Sequence, residues 1–243
     1  MSIRIAAWNL GHQTSDNAPI HPQLLAAVQE IAPDVLVLNE FVDVRREQLR
    51  AGLTAIGLPH VASSRRHNRH NQVLIASREP FSVGPLAGPE MEGGAGQSNF
   101  LHVVLPDGLH VVGVRAPTYQ GAELHAYWRS LFTLIDSTRE LPIVWIGDLN
   151  ADPDLPASKC GRYLAELEAQ GWVIPRASGR WSFHSGSRID HAVLSHRVAC
   201  TSAEYVTAVG GVEVVGRLDS SGRFISDHAA LVVQVRAAQT HQS

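Results

Sequence analysis

Residues 100–114 read Phe-Leu-His-Val-Val-Leu-Pro-Asp-Gly-Leu-His-Val-Val-Gly-Val. Two apolar, β-branched runs, Phe100–Leu105 and Leu109–Val114, flank Pro106-Asp107-Gly108. Asp-Gly between such runs is a strong hairpin signal, because glycine supplies the positive φ of a tight reversal. The runs are therefore expected to pair antiparallel. That argues against a purely parallel, doubly wound sheet, and no Gly-x-Gly-x-x-Gly follows the first strand-like segment either.

Outward from this hairpin the pattern alternates. Ile3–Trp8 and Asp34–Leu38 read as buried strands, and Leu24, Leu25, Val28 and Ile31 between them fall on one helical face closed by Pro33. Helical spacing returns at Leu49, Leu53 and Ile56, at Trp128, Leu131, Ile135 and Thr138, and at Cys160, Leu164 and Leu167. Asp190–Ser195 and Ala229–Val235 read as strands without long helices beside them. The expected fold is α/β (α+β): two mixed sheets facing each other with helices outside. Gly84–Ser98, rich in Gly and Pro, is the candidate long loop.

Composition narrows the function classes. The chain has 243 residues, 44% of them apolar and 18% charged, which is material for one large core. Lys and Arg number 20 against 23 Asp and Glu, a net charge of −3. A general nucleic-acid coating protein with a basic face is excluded, so a bound polyanion must be held by a local patch or through metal ions. Lys159 is the only lysine, and the two cysteines, Cys160 and Cys200, are too few for a disulfide framework or a zinc–thiolate site. Met1-Ser2-Ile3-Arg4 runs directly into a strand-like segment, so neither a leader nor a membrane span is expected, and the location is expected to be cytoplasmic. One domain is expected over 1–236, with a frayed tail at 237–243.

The chemistry sits at strand ends. Ile3–Trp8 ends at Asn9, and Asp34–Leu38 leads to Asn39-Glu40. Residues 143–147 lead to Asp148-Leu149-Asn150, Ser187-Arg188-Ile189 precedes Asp190, and Ser226-Asp227-His228 opens the last strand. A charged group flush with a buried strand is costly to desolvate unless it is paired or bound to a metal. Taken singly, each has a bland reading: a turn at Asp148 and Asn150, a surface pair for Asp190 with Arg188, a satisfied core histidine at 228. Five such termini suggest a shared rim.

In this order, Trp8-Asn9, Asn39-Glu40, Gly147-Asp148-Leu149-Asn150, Arg188-Ile189-Asp190 and Ser226-Asp227-His228 resemble the endonuclease/exonuclease/phosphatase superfamily, over about Ile3 to Val235. The resemblance implies a DNase I-like, four-layer α/β/β/α sandwich with the active site at one edge of the paired sheets. It also implies metal-dependent hydrolysis of phosphate esters. Carboxylates without cysteines suit Mg²⁺ or Mn²⁺. By the same resemblance Glu40 is the principal ligand, with Asn9 in support and Asp227 a further candidate. Asp148 would orient or deprotonate the attacking water, Asn150 would donate to a phosphate oxygen along a strand-like segment, and His228 with Asp190 would form a proton-transfer or phosphate-binding pair. Two positions depart from the pattern. Gly11 stands where abasic-site nucleases carry Asp, and Arg115 stands where relatives carry Tyr or His. Arginine can clamp a phosphate but does not readily shuttle a proton, and Tyr119 lies four residues on.

Substrate selection is less legible. Arg65, Arg66 and Arg69, in a dense basic run with Asn71 just beyond it, read either as a solvated loop or as a grip on a nucleic-acid backbone. Trp181 and Phe183 either pack in the core or stack on a base or sugar. A nuclease or nucleic-acid phosphodiesterase is favoured by the basic run and these aromatics. A phosphatase or diesterase for a small, inositol-phosphate or phospholipid substrate is favoured by the acidic net charge. No apolar protruding hairpin suggests membrane insertion. A catalytically silent binding module is disfavoured by the presence of Glu40, Asp148, Asn150, Asp190 and His228 together.

Overall fold

The computed structural model describes residues 2–11, 21–42, 46–66, 71–90, 96–118, 121–157, 160–215 and 225–237. β1 (Ser2–Asn9) leads through α1 (Pro22–Ile31) into β2 (Val35–Phe41), which lies parallel to β1. The same unit recurs as β7 (His110–Val114), α3 (Ala122–Ser137) and β8 (Ile143–Asp148), again with the two strands parallel. The rest of each sheet is antiparallel. β13 (Ala230–Ala237) pairs with β1 and with β10 (Val198–Val206), while β4 (Gln72–Ser77) pairs with β2 and with β3 (His60–Ser63). In the second sheet β6 (Phe100–Val104) pairs with β7 and with β5 (Ser82–Val83), and β9 (Asp190–Leu194) pairs with β8. The orders are β10-β13-β1-β2-β4-β3 and β5-β6-β7-β8-β9, beside a small hairpin of β11 (Ala208–Val209) and β12 (Val212–Glu213).

The strands read as continuous apolar runs because both faces are covered. Alternation along β1 sends Ile5 and Ala7 inward, to Val37, Ile75, Val103, Val111, Val144 and Ile146 between the sheets. Ala6 and Trp8 face outward, under Leu24, Val28 and Ile31 of α1 and under Leu49 and Leu53 of α2 (Arg46–Ala55). On the far side Val112, Val114 and Trp145 meet Trp128, Leu131 and Ile135 of α3 and Leu164 and Leu167 of α4 (Gly161–Ala169). Three apolar layers thus separate four structural ones, and the fold is the α/β/β/α sandwich of the DNase I-like type. The sheets approach closely at Gly113, where a Cβ would stand 2.6 Å from Val73 Cγ1 and 2.7 Å from Val37 Cγ1.

Some elements differ from expectation. β2 runs through Asn39 and Glu40 to Phe41 instead of stopping at Leu38, and Ala237 closes β13 instead of beginning a tail; 238–243 lie outside the described residues. The segment after Asp148 is not strand-like: Asn150 has φ +49°, and β8 ends at Asp148. No helix among the described residues is long and apolar enough to cross a membrane.

Candidate active site

Six strand ends build one rim. β1 delivers Asn9, β2 Glu40, β7 Arg115 just beyond its end, β8 Asp148, β9 Asp190, and the entry to β13 supplies Asp227 and His228. Two local devices aim the carboxylates. The β2–β4 register jumps between Leu38 and Phe41, and within that bulge Glu40 adopts φ +52°, which turns its side chain out of the ladder. In the β8–β9 ladder Asp148 and Asp190 are direct partners, so the register itself sets two buried acids side by side. Gly147 is required beside them, because a Cβ there would lie 2.2 Å from Val114 O and 2.6 Å from Asn39 Oδ1.

Each acid then has its own set of partners. Asp148 is 2% exposed; its Oδ2 accepts from Asn9 Nδ2 at 2.9 Å and its Oδ1 from the Asn150 backbone N–H at 3.1 Å. Asp190 Oδ2 accepts from His228 Nδ1 at 2.8 Å, which fixes the proton on Nδ1. Glu40 Oε1 lies 2.7 Å from Arg115 Nη2, and Arg115 Nε lies 3.8 Å from Asp148 Oδ2. Asp227 Oδ1 stands 4.0 Å from His228 Nε2, and it is buried with no hydrogen-bond partner among the described residues.

These surroundings set the charges. Burial first, and then Asp190 across the ladder, push the Asp148 carboxyl up to about 7, against the pull of His228 and Arg115. Burial opposes the His228 cation, but the charge and hydrogen bond of Asp190, with Asp148 and Asp227 behind, carry it up to about 9. The result is an imidazolium facing a carboxyl whose proton is easily exchanged near neutrality.

The sequence-derived residues fall into three groups. Glu40, Arg115, Asp148, Asn150, Asp227, His228 and Phe183 line one cavity of about 330 Å³, with Thr118, Ser185, Ser187 and Ile189. Asn9 and Asp190 stand directly behind it; Asn9 Oδ1 accepts from the Gly11 N–H while its amide holds Asp148. Asn150 donates Nδ2 to Ala116 O at 2.9 Å, so one amide hydrogen is already used. Four of the others do not line the cavity. Trp181 is partly buried against the inter-sheet core, Arg65 and Arg66 are exposed beyond β3, and Asn71 is half-buried before β4. Arg69 and Tyr119 lie outside the described residues.

Reasoning from sequence missed the residues that hold the dyad. Ser182 is fully buried; its Oγ accepts from the N–H groups of Ile189 and Asp190 at 2.9 and 3.1 Å, and its carbonyl from Ala229 at 2.7 Å. Tyr205 OH donates to Asp190 O at 2.8 Å, and Trp8 Nε1 to His228 O at 2.9 Å. Asn39 ties the sheets together, donating to Val114 O and accepting from the Asp148 N–H, both at 3.3 Å. Only Asn39 left a signal, as a second polar residue beside Glu40 in an apolar run.

Known proteins resemble this chain over most of its length. Residues 6–228 match the model of the Endonuclease/Exonuclease/phosphatase family. No curated protein matches the chain in sequence. Among solved structures, an endonuclease/exonuclease/phosphatase from Beutenbergia cavernae superposes with a TM-score of 0.72 at 20% identity, covering 100% of this chain and 73% of that one. An AP endonuclease from Archaeoglobus fulgidus gives 0.67 at 20% identity, covering 95% and 98%. The 3′ phosphatase NExo from Neisseria, bound to product DNA hairpin, gives 0.69 at 18% identity, covering 98% and 100%.

Proposed function

The chain belongs to the endonuclease/exonuclease/phosphatase family, and from that membership we propose that it is a Mg²⁺- or Mn²⁺-dependent phosphoesterase that acts as a phosphodiesterase on nucleic acid. One observation carries the reading: of two facing buried aspartates, Asp148, held by Asn9, lines a cavity, and Asp190 stands behind it paired with His228, which lines the same cavity with Glu40, Asp227 and Arg115.

The donor set fits a hard cation. Mg²⁺ keeps several waters and takes one or two carboxylates with substrate phosphate, where structural zinc takes a closed cage of four. Glu40 and Asp227 would hold it, the latter through the buried oxygen that no donor among the described residues meets; among those residues no three His, Cys, Asp or Glu converge as a cage. When bound, the cation polarises the phosphate and shields charge on the leaving oxygen.

The other roles belong to the chain. Asp148 takes the proton of the attacking water, with Asn9 and the Asn150 N–H fixing the direction of its oxygens. His228, kept cationic by Asp190, offers Nε2 to a non-bridging oxygen and can supply a proton to the leaving group. Arg115 offers Nε, which is buried and makes no hydrogen bond among the described residues, and Asn150 offers its second amide hydrogen. Phe183, with its ring centroid 4.8 Å from that of His228, forms the wall against which a base or sugar would lie.

The test is one substrate panel of plasmid, single-stranded DNA, RNA, abasic duplex, bis-nitrophenyl phosphate and phosphorylated inositols, each with Mg²⁺, Mn²⁺ or chelator. Metal-dependent turnover of a nucleic acid is expected, and turnover that survives chelation overturns the metal role. Asp148→Asn and His228→Ala are each expected to lower kcat by about 10²–10⁴-fold while the melting transition persists. A second reading, a phosphatase for small phosphorylated molecules, is favoured by the surface charge. Arg4, Arg78, Arg139, Arg176 and Arg197 all sit in ion pairs with carboxylates instead of forming a basic track. Faster turnover of the inositol phosphates than of any polynucleotide would select it.

A further inference from the structure

We infer that Arg115 is a built-in counter-ion that competes with the divalent cation for Glu40 and passes to the substrate phosphate once that cation is bound. The inference rests on the phosphoesterase reading above and adds an order of loading to it.

The geometry is that of a temporary partner. Arg115 follows β7 in one sheet, Glu40 sits in the β2 bulge of the other, and their 2.7 Å contact bridges the two sheets at the cavity. Both side chains are largely buried, at 15% and 11% exposed. A guanidinium has five N–H donors, yet this one makes a single close ion pair; its Nε is buried, has no hydrogen-bond partner among the described residues and lies 3.8 Å from Asp148 Oδ2. Leaving a buried donor unmet is unfavourable, so the arrangement is complete only when another acceptor arrives. Phosphate oxygens match the planar fork of arginine.

The same contact opposes the metal. Glu40 is the ligand from the bulge, and the guanidinium nitrogen already lies on its Oε1. A divalent cation at that carboxylate and a guanidinium beside it repel strongly in a site mostly shut off from water. Metal entry therefore turns the arginine away from Glu40. Its backbone stays anchored, because the Arg115 N–H donates to Asn99 O at 3.0 Å, so only the side chain has to swing. Metal and phosphate then bind in a linked way: the cation frees the arginine, and the arginine grips the anion. A neutral residue at 115 would remove the guanidinium that contends with the cation for Glu40. It would bind metal more tightly and lose the link.

The experiment is calorimetric titration of Mg²⁺ into the full chain as wild type, Arg115→Met and Arg115→Lys. The Met variant is expected to bind Mg²⁺ about tenfold more tightly than wild type, and the Lys variant to stay near wild type because its charge remains. Wild-type and Met affinities within twofold of each other overturn the inference. A measurement on the wild type keeps it falsifiable if Arg115→Met does not fold: the Arg115 Nε–H resonance, assigned by its loss in Arg115→Lys, should shift on Mg²⁺ addition and shift again with inorganic phosphate. A resonance unmoved by saturating Mg²⁺ overturns it as well. Equal affinities alongside Mg²⁺-dependent turnover remove this inference alone. The expected affinity pattern without turnover of any phosphoester keeps the competition and removes the phosphoesterase reading.

Discussion

Glu40 and Asn150 adopt φ of +52° and +49°, a region that residues other than glycine enter at a cost of about 1–3 kcal/mol. The only other such residue among those described is Ala32, at a helix end, so this backbone strain is concentrated where side chains are re-aimed into the cavity. Side-chain charge leads to a pH profile. In the proposed mechanism Asp148 serves as a base only when ionised, and with its pKa raised to about 7 activity is expected to fall as pH drops through that value; bound metal would shift this limb to lower pH. In the same proposal His228 serves as a cation, and with its pKa raised to about 9 activity is expected to fall as pH climbs through it. A bell-shaped kcat/KM profile is expected, with His228→Gln losing the alkaline limb; steady-state kinetics from pH 5 to 10 checks both limbs. At this scale the sequence displays residue type at the end of an apolar run, which sufficed to expect Asp148, Asp190 and His228 on a shared rim, where they lie. It does not display what a serine or tyrosine touches. Ser182 and Tyr205 hold Asp190 and its neighbour Ile189 through hydrogen bonds to backbone groups 7, 8 and 15 residues away, and no local pattern marks such contacts.

Elements that bury a periodic face were legible, and those that do not were not. β10 reads Val-Ala-Cys-Thr-Ser-Ala-Glu-Tyr-Val; it is an edge strand with half-exposed positions and a bulge at Cys200/Ser202, so no apolar run announces it. The hairpin at 100–114 formed as its turn residues require, and it carries a titratable pair. His102 Nδ1 accepts from the Leu86 N–H at 3.2 Å, which places its proton on Nε2, donated to His110 Nδ1 at 2.9 Å. Both rings must be neutral for this chain of bonds. Burial, helped by His110, lowers His102 to about 4, and burial lowers His110 as well. The unfolded chain therefore binds protons first as pH falls through about 6.5, and stability drops between there and about 4. His102→Gln, which can keep both hydrogen bonds, is expected to recover roughly 1–2 kcal/mol of the loss at pH 5, read by urea denaturation at pH 7.5 and 5. At the end of α1, Ala32 caps the helix at φ +51°, donating to Val28 O from an exposed position. Ala32→Gly relieves that backbone and is expected to add about 0.5–1 kcal/mol, or roughly 1–4 °C in Tm by calorimetry.

On the scale of the whole molecule, net charge and paired arginines bear on how a polyanion is held. With a charge of −3 and arginines at 4, 78, 139, 176 and 197 in ion pairs, few phosphates are gripped at once. KM for a single-stranded oligonucleotide should rise with salt with a log–log slope of only about 1–3, and a slope near six or more would reveal a basic track. The two-sheet architecture was legible from the mixed pairing that the hairpin demands. The strand order was not, because it depends on which distant runs meet. That order has a consequence for the life of the polypeptide. Residues 82–194 supply one sheet in an unbroken stretch, whereas the other joins β1 to β13 with Ser2 opposite Arg236. On the ribosome the first strand must wait for nearly the last, and His228 emerges with that closing segment. Before β13 is made, β1 lacks its antiparallel neighbour and the cavity lacks Asp227 and His228, so the site is put together late and as a whole.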